Sequence, residues 1–249
     1  MSLTFQRAIV VGASSGIGAE IARQVAAGGA AVALVGRRAA ELEAVAAAIK
    51  AAGGRALVAV HDVRAAAEVP ERFEALVAEL GGLDLLVYAA GIMPACEEGV
   101  YDLAADRATL EVNALGAMAW TALAAARFEA ARAGTIVGLS SIAGERGRRT
   151  NPAYTTSKAA LTAWLEALRN RVSRHGVNVV TVKPGYVDTV MTRGMRGLLW
   201  LIPPARAAAI TLRIARRGGS PSAFVPARWA VVAWVVRHVP SRLFRRLNF

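Results

Sequence analysis

Short apolar runs alternate with stretches of helical period along most of the chain. Arg7 to Val11 leads into Gly12-Ala13-Ser14-Ser15-Gly16-Ile17-Gly18, after which Ile21, Ala22 and Val25 continue at helical spacing. Ala31 to Val35 reads as a second strand, followed by a helix to about Ala52, and Ala56 to Val60 as a third. Val69 to Leu80 is helical, and Asp84 to Tyr88 is a fourth strand leaving through Ala89-Ala90-Gly91. A long helix is predicted over Asp106 to Ala131, a fifth strand over Thr135 to Leu139, a helix from Pro152 to about His175 and a sixth strand over Val177 to Val182. Regular alternation of strand and helix predicts an α/β chain with a parallel sheet covered on both faces.

The first turn carries chemistry. Gly12 permits a tight turn, Gly16 and Gly18 permit close approach of backbone and ligand, and the helix that follows offers free N–H groups to a pyrophosphate. At the tip of the second strand Gly36 leaves space where an acidic residue would bind the ribose of NAD, and Arg37 or Arg38 can pair with the 2′-phosphate of NADP. NADP(H) is therefore expected over NAD(H). Asp62, beside Val63, can accept from an adenine amino group, and the small side chains of Ala89, Ala90 and Gly91 let a nicotinamide lie close to the backbone. Pro152 favours a helix start, which puts Tyr154 and Lys158 four residues apart on one face. An ammonium ~4 Å from a phenol at an effective dielectric of ~20 favours the phenolate by roughly 4 kcal/mol. Lys158 is thus expected to lower the Tyr154 pKa, so that the phenol exchanges a proton near neutrality.

Composition narrows the partners. The 249 residues suffice for one large domain. Cys96 is the only cysteine and His61, His175 and His238 are scattered, so neither a disulfide nor a metal site is expected. No secretory signal is recognisable, and the longest late apolar run, Trp229 to Val236, is too short to span a bilayer. A cytoplasmic protein is expected. The net charge is +12, and after Asp188 there are eleven arginines and no acidic residue. That imbalance points to an anionic partner. No nucleic-acid-binding motif accompanies it, so peripheral contact with an anionic membrane is the preferred expectation.

With these motifs in order, the chain from about Arg7 to Thr192 resembles the short-chain dehydrogenase/reductase family. Val11-Gly12-Ala13-Ser14-Ser15-Gly16-Ile17-Gly18 is similar to its Thr-Gly-x-x-x-Gly-x-Gly loop, and Asn113 falls where its catalytic asparagine lies. Ser141, thirteen residues before Tyr154, matches its catalytic serine. Pro184-Gly185 with Val187 and Thr189 is similar to its carboxamide-binding turn. The resemblance implies a Rossmann-type, doubly wound sheet of seven strands in a single domain and an active site of Asn113, Ser141, Tyr154 and Lys158. In it Tyr154 protonates the developing alkoxide, Lys158 lowers the tyrosine pKa and holds the ribose hydroxyls, Ser141 binds the carbonyl oxygen and Asn113 holds a water that relays protons to Lys158. Two departures stand out: Val11 replaces a threonine, and Tyr88-Ala89-Ala90-Gly91 replaces Asn-Asn-Ala-Gly, removing a hydrogen bond that steadies the central strands.

The resemblance makes residues 189–205 a mobile lid, rich in Val190, Met191, Met195, Leu198, Leu199, Trp200, Leu201 and Ile202, so a hydrophobic carbonyl or alcohol substrate is expected. Arg146, Arg148 and Arg149 are either a solvated loop or a site for an acidic substrate group. Residues 226–249 form a basic, apolar extension beyond the domain of residues 1–225. There Trp229, Val232 and Val236, then Leu243, Phe244 and Leu247, alternate with arginines across Pro240, which predicts two short amphipathic helices at a membrane interface, against the lid or in a subunit contact. The expected assembly is a homo-oligomer, dimer or tetramer. A 3-oxoacyl-carrier reductase and a non-catalytic NADP-binding sensor that docks on membranes are the competing functions. The intact Ser141, Tyr154 and Lys158 argue against the sensor.

Overall fold

The computed structural model describes residues 3–96, 99–219 and 222–246. Strands β1 (Arg7–Val11), β2 (Ala31–Gly36), β3 (Arg55–Val60), β4 (Leu85–Tyr88), β5 (Gly134–Leu139), β6 (Val177–Pro184) and β7 (Ser222–Val225) pair in parallel in the order β3-β2-β1-β4-β5-β6-β7. Both faces are covered, which is why the strands are almost unbroken apolar runs. Within β1, Ala8 and Val10 pack toward helices α1 (Gly16–Ala27), α2 (Ala39–Ala51) and α7 (Pro204–Arg217). Ile9 and Val11 point the other way, toward α3 (Val69–Leu80), α5 (Gly116–Ala131) and α6 (Pro152–Val172). The doubly wound order reverses between β1 and β4, and the loops leaving their carboxyl ends part there to open a crevice.

The single helix expected over Asp106 to Ala131 is two helices with an irregular turn between them. Asp102 accepts from the Ala104 and Ala105 N–H groups at 3.0 and 3.1 Å, starting α4 (Leu103–Leu110) earlier than the apolar period suggests. Glu111–Leu115 then forms a π-turn, whose extra residue re-aims Asn113 before α5 begins. Tyr88 donates to the Val112 carbonyl at 2.5 Å. The family-type asparagine is absent from this strand, and the phenol supplies a different brace, tying β4 to the turn that carries Asn113. At its far end α6 stops at Val172, and Ser173–His175 is a 3-10 turn closed by Gly176 at φ 79°. Helix α7 and strand β7 complete the sheet in a region where the apolar period gave no element.

Helices α8 (Trp229–His238) and α9 (Ser241–Phe244) flank Pro240. Leu247, part of the last apolar pattern, lies outside the described residues. Among the described residues no helix is long and apolar enough to cross a membrane.

Candidate active site

The glycine turn after β1 is a cradle that side chains would fill. A Cβ on Gly12, at φ 90°, would stand 2.4 Å from the Ala90 nitrogen, and one on Gly18 would stand 2.2 Å from the Gly12 carbonyl oxygen. No side chain caps α1, whose first internal bond runs from the Ala19 N–H to the Ser15 carbonyl at 3.3 Å, so the N–H groups before it are the orphan donors of a helix start. Across the crevice Thr189 caps a short 3-10 turn, and its methyl lies 3.2 Å from where a Gly16 Cβ would be. The two walls of the crevice are thus brought together by loops far apart in the chain, at Gly16 and at Thr189.

At the tip of β2 the two arginines divide. Arg38 donates to the hydroxyls of Ser14 and Ser15 at 2.8 and 2.6 Å, joining the strand tip to the glycine loop. Arg37 turns away toward Asp62, at 3.8 Å. The Asp62 carboxylate is gripped by Arg64 through contacts of 2.6 to 3.2 Å, which hold its pKa below the ordinary value. An adenine contact there has to compete with Arg64. Val63 is buried against α5.

Ser141, Tyr154, Lys158 and Asn113 converge at the carboxyl ends of β4 and β5. Ser141 follows β5 with an extended backbone and accepts from the Ala143 N–H at 3.0 Å. Its loop lies directly on α6 because Gly144 lacks a side chain: a Cβ there would be 2.7 Å from the Lys158 carbonyl carbon. Ser140 adds a hydrogen bond to the Lys158 carbonyl at 2.9 Å. Asn113 donates both amide hydrogens, to the Ile92 carbonyl and to Ser157 Oγ at 2.9 Å each, while its Oδ1 accepts from the Ile92 N–H at 2.8 Å. One acceptor position on Oδ1 remains. That oxygen and Lys158 Nζ each lie 3.4 Å from where a Gly91 Cβ would stand, so both border one small space at the exit of β4.

The electrostatics differ from the expectation that Lys158 lowers the Tyr154 pKa. Burial pushes the phenol above its ordinary value, with a hydrogen bond to Ser141 and the charge of Arg148 pulling it back in part. Lys158 Nζ points instead to the Leu139 carbonyl at 2.9 Å and stands 5.8 Å from the centre of the tyrosine ring. Lys158 is itself brought down to about 8 by burial. Desolvation of the half-buried phenol and of the buried ammonium disfavours the charged form of each and leaves the tyrosine a protonated donor at neutral pH. Arg148, read only as one of three loop arginines, is the cation that acts on it.

Lys158 is therefore expected to reduce stability while serving the site. A pKa taken from 10.5 to about 8 corresponds to roughly 3 kcal/mol against the folded state below pH ~8, a penalty that fades as pH rises toward ~10.5. In Lys158→Met that penalty disappears, less ~1 kcal/mol for the lost bond to Leu139. The variant should melt higher than the parent at pH 7, and the difference should shrink at pH 10. An equal or lower melting temperature at pH 7 would show that the ammonium is not held at a cost.

The carboxamide-type turn is shaped by the C-terminal segment, a role the sequence did not disclose. A Cβ on Gly185 would fall 1.9 Å from the Trp229 indole nitrogen, so the indole lies flat against this backbone. Trp229 is 4 % exposed and packs with Ile142, Tyr186 and Ala233. Val187 bridges to Ile202, closing the base of the lid. Trp200, at φ 55°, rests on Trp229 with ring centres 5.3 Å apart and beneath the Arg228 guanidinium. Arg146 is no solvated loop residue: it donates to the carbonyls of Val236, at 2.7 Å, and Val239, and covers the Phe244 ring. Glu145 is buried between Lys183, at 2.7 Å, and Arg237. Helix α8 is thereby latched to the loop that carries Ser141 and to the end of β6.

Comparison with known proteins agrees with this geometry. The family profile described as short chain dehydrogenase matches residues 6–197. The chain is 35 % identical over 196 residues to the ketoacyl reductase HetN of Nostoc sp., covering 77 % of this chain and 68 % of that protein. An uncharacterized oxidoreductase of Mycobacterium tuberculosis is 32 % identical over 249 residues, 98 % of each chain. The crystal structure of a short chain dehydrogenase from Burkholderia cenocepacia in complex with NADP superposes with a TM-score of 0.78 at 30 % identity, over 87 % of this chain and 94 % of that one. The glycine cradle, the seven-stranded parallel sheet and these matches agree, and the chain belongs to the short chain dehydrogenase family of nicotinamide-dependent oxidoreductases.

Proposed function

We propose that this oxidoreductase uses NADP(H) to interconvert a carbonyl and an alcohol on a hydrophobic small molecule, with Tyr154 as general acid and base. The observation that carries the reading is the convergence of a half-buried, protonated Tyr154 with Ser141 and Lys158 at the mouth of a crevice whose other end is guarded by Arg38. The cofactor, when bound, would supply or accept the hydride. Gly12, Ser14, Ser15, Gly16, Ile17 and Gly18 would hold its phosphates, Ala89, Ala90 and Gly91 would leave room for it beside the backbone, and Pro184, Gly185, Val187 and Thr189 would close the opposite wall. Ser141 donates to the substrate oxygen, and Tyr154 transfers its proton to that oxygen as negative charge develops there. Lys158 and Asn113 hold a polar path beside Gly91 through which the tyrosine recovers a proton. The exposed apolar lid residues Leu199, Trp200 and Leu201 favour an apolar substrate. Similarity to a ketoacyl reductase favours reduction of a ketone, and a 3-oxoacyl thioester is the second reading.

A screen of hydrophobic ketones and alcohols with NADPH, NADP, NADH and NAD, followed by nicotinamide absorbance, tests this reading. No turnover with any pair, although the cofactor binds, would remove it in favour of a sensing role. Arg38→Ala is expected to weaken NADPH roughly ten- to a hundredfold, the value of a charge-assisted phosphate contact, and NADH far less. Arg37→Ala should act in the same direction by a smaller factor, because Arg37 faces Asp62. Equal losses for both cofactors would mean that neither arginine reads the 2′-phosphate.

A further inference from the structure

Helix α8 is covered on one side only. Trp229 and Ala233 are 4 % and 2 % exposed, buried against the catalytic loop, whereas Val231, Trp234 and Val235 are 67 %, 64 % and 46 % exposed. Those three are spaced three and four apart and form one stripe. On the inner side of the helix Trp200 of the lid rests on Trp229, and its neighbours Leu199 and Leu201 are 60 % and 45 % exposed. Leu243 of α9 is also largely exposed. The charge carried by the lid and the C-terminal segment is of one sign. Arg193, Arg196, Arg228, Arg242, Arg245 and Arg246 are exposed, and no acidic residue follows Asp188.

Charge selects among the occupants of this face. A second copy placed across a two-fold axis would set this arginine-rich surface against itself. A bilayer with anionic headgroups answers both features at once: it takes tryptophan and aliphatic side chains at the headgroup level and neutralises the arginines around them. We propose that the α8 stripe, with the arginines of the C-terminal segment, is a docking surface for anionic phospholipid bilayers. The contact is peripheral. Docking does not depend on the reaction proposed above.

Sedimentation of the full chain with vesicles of phosphatidylcholine alone, or with ~30 % phosphatidylglycerol, tests the proposal without any turnover. Binding is expected only with the anionic vesicles and should weaken between low salt and ~0.5 M salt. Val231→Ser with Trp234→Ser should lower the partition coefficient about tenfold or more, at unchanged melting temperature and unchanged size in solution. Replacing Arg242, Arg245 and Arg246 with serine should weaken binding by up to about fivefold for each arginine and flatten the salt dependence. The proposal is overturned if the parent stays in solution with anionic vesicles at low salt, or if the Val231/Trp234 variant binds them as well as the parent. It is also overturned if that variant dissociates an oligomer, which would make the stripe a subunit interface.

Discussion

Tyr154→Phe is expected to lower turnover about a hundred- to ten-thousandfold, the usual worth of a positioned general acid. The ring and its packing remain, so NADPH affinity should change by less than about tenfold, the loss of one neutral hydrogen bond. The size of the effect follows from the environment. Burial keeps the phenol protonated, and Ser141 orients it, so the proton is available when charge develops on the substrate oxygen. In Tyr154→Phe no other acid takes its place: Lys158 is turned to the Leu139 carbonyl, and Arg148 does not give up a proton near neutrality. Stopped-flow measurement of the hydride step with any substrate found by screening, together with fluorescence titration of NADPH, reads the two quantities separately. An unchanged hydride step would place the proton donor elsewhere and leave the convergence at Tyr154 without mechanistic content.

Much of the site is readable in the chain because its parts are local. The glycine turn, the Tyr154–Lys158 spacing and the serine at the end of β5 each sit within one element junction, where strand, turn and helix signals are strong. A parallel sheet covered on both faces follows from the alternation of six of its strands with helices, whereas the seventh strand, Ser222–Val225, is implied only by the family resemblance. What is not readable is set by contacts between distant parts of the chain. The π-turn at Asn113 interrupts an apolar period that continues on both sides of it, and its brace comes from Tyr88 on another element. The direction of the Tyr154 shift is likewise hidden. Spacing puts an ammonium near the phenol but says nothing of the Leu139 carbonyl that it donates to, or of the desolvation that raises the phenol against the pull of Ser141 and Arg148.

The C-terminal segment shows the same division more sharply. Its amphipathic pattern is legible, but the period alone cannot tell a face buried in the protein from a face left for a partner. Trp229 and Trp234 look equivalent in sequence. In the fold Trp229 lies against Gly185 and Trp234 is open. Phe244, grouped by pattern with the interfacial residues, is held under Arg146. The segment therefore has two jobs on two sides: the inner side shapes the Gly185 turn and the Ser141 loop, and the outer side remains free.

Glu145→Gln should be the most destabilising of the substitutions considered, by about 3 to 5 kcal/mol, the cost of removing one partner from a buried ion pair. Glu145 and Lys183 have side chains 1 % and 5 % exposed, and their 2.7 Å contact joins the loop after Ser141 to the end of β6. With glutamine at 145 the Lys183 ammonium remains buried beside the Phe224 ring without a counter-charge. Arg237 meets the same carboxylate, but its side chain is 54 % exposed. Its removal should cost only about 1 kcal/mol, the range of an exposed pair. Denaturant unfolding of the two variants against the parent separates these values. Activity should fall with Glu145→Gln even at denaturant-free stability sufficient for folding, since the Ser141 loop and the Gly185 turn lose their common tie. If Glu145→Gln and Arg237→Ala prove equally mild, the carboxylate is solvated in solution and α8 is not latched to the catalytic loop through it.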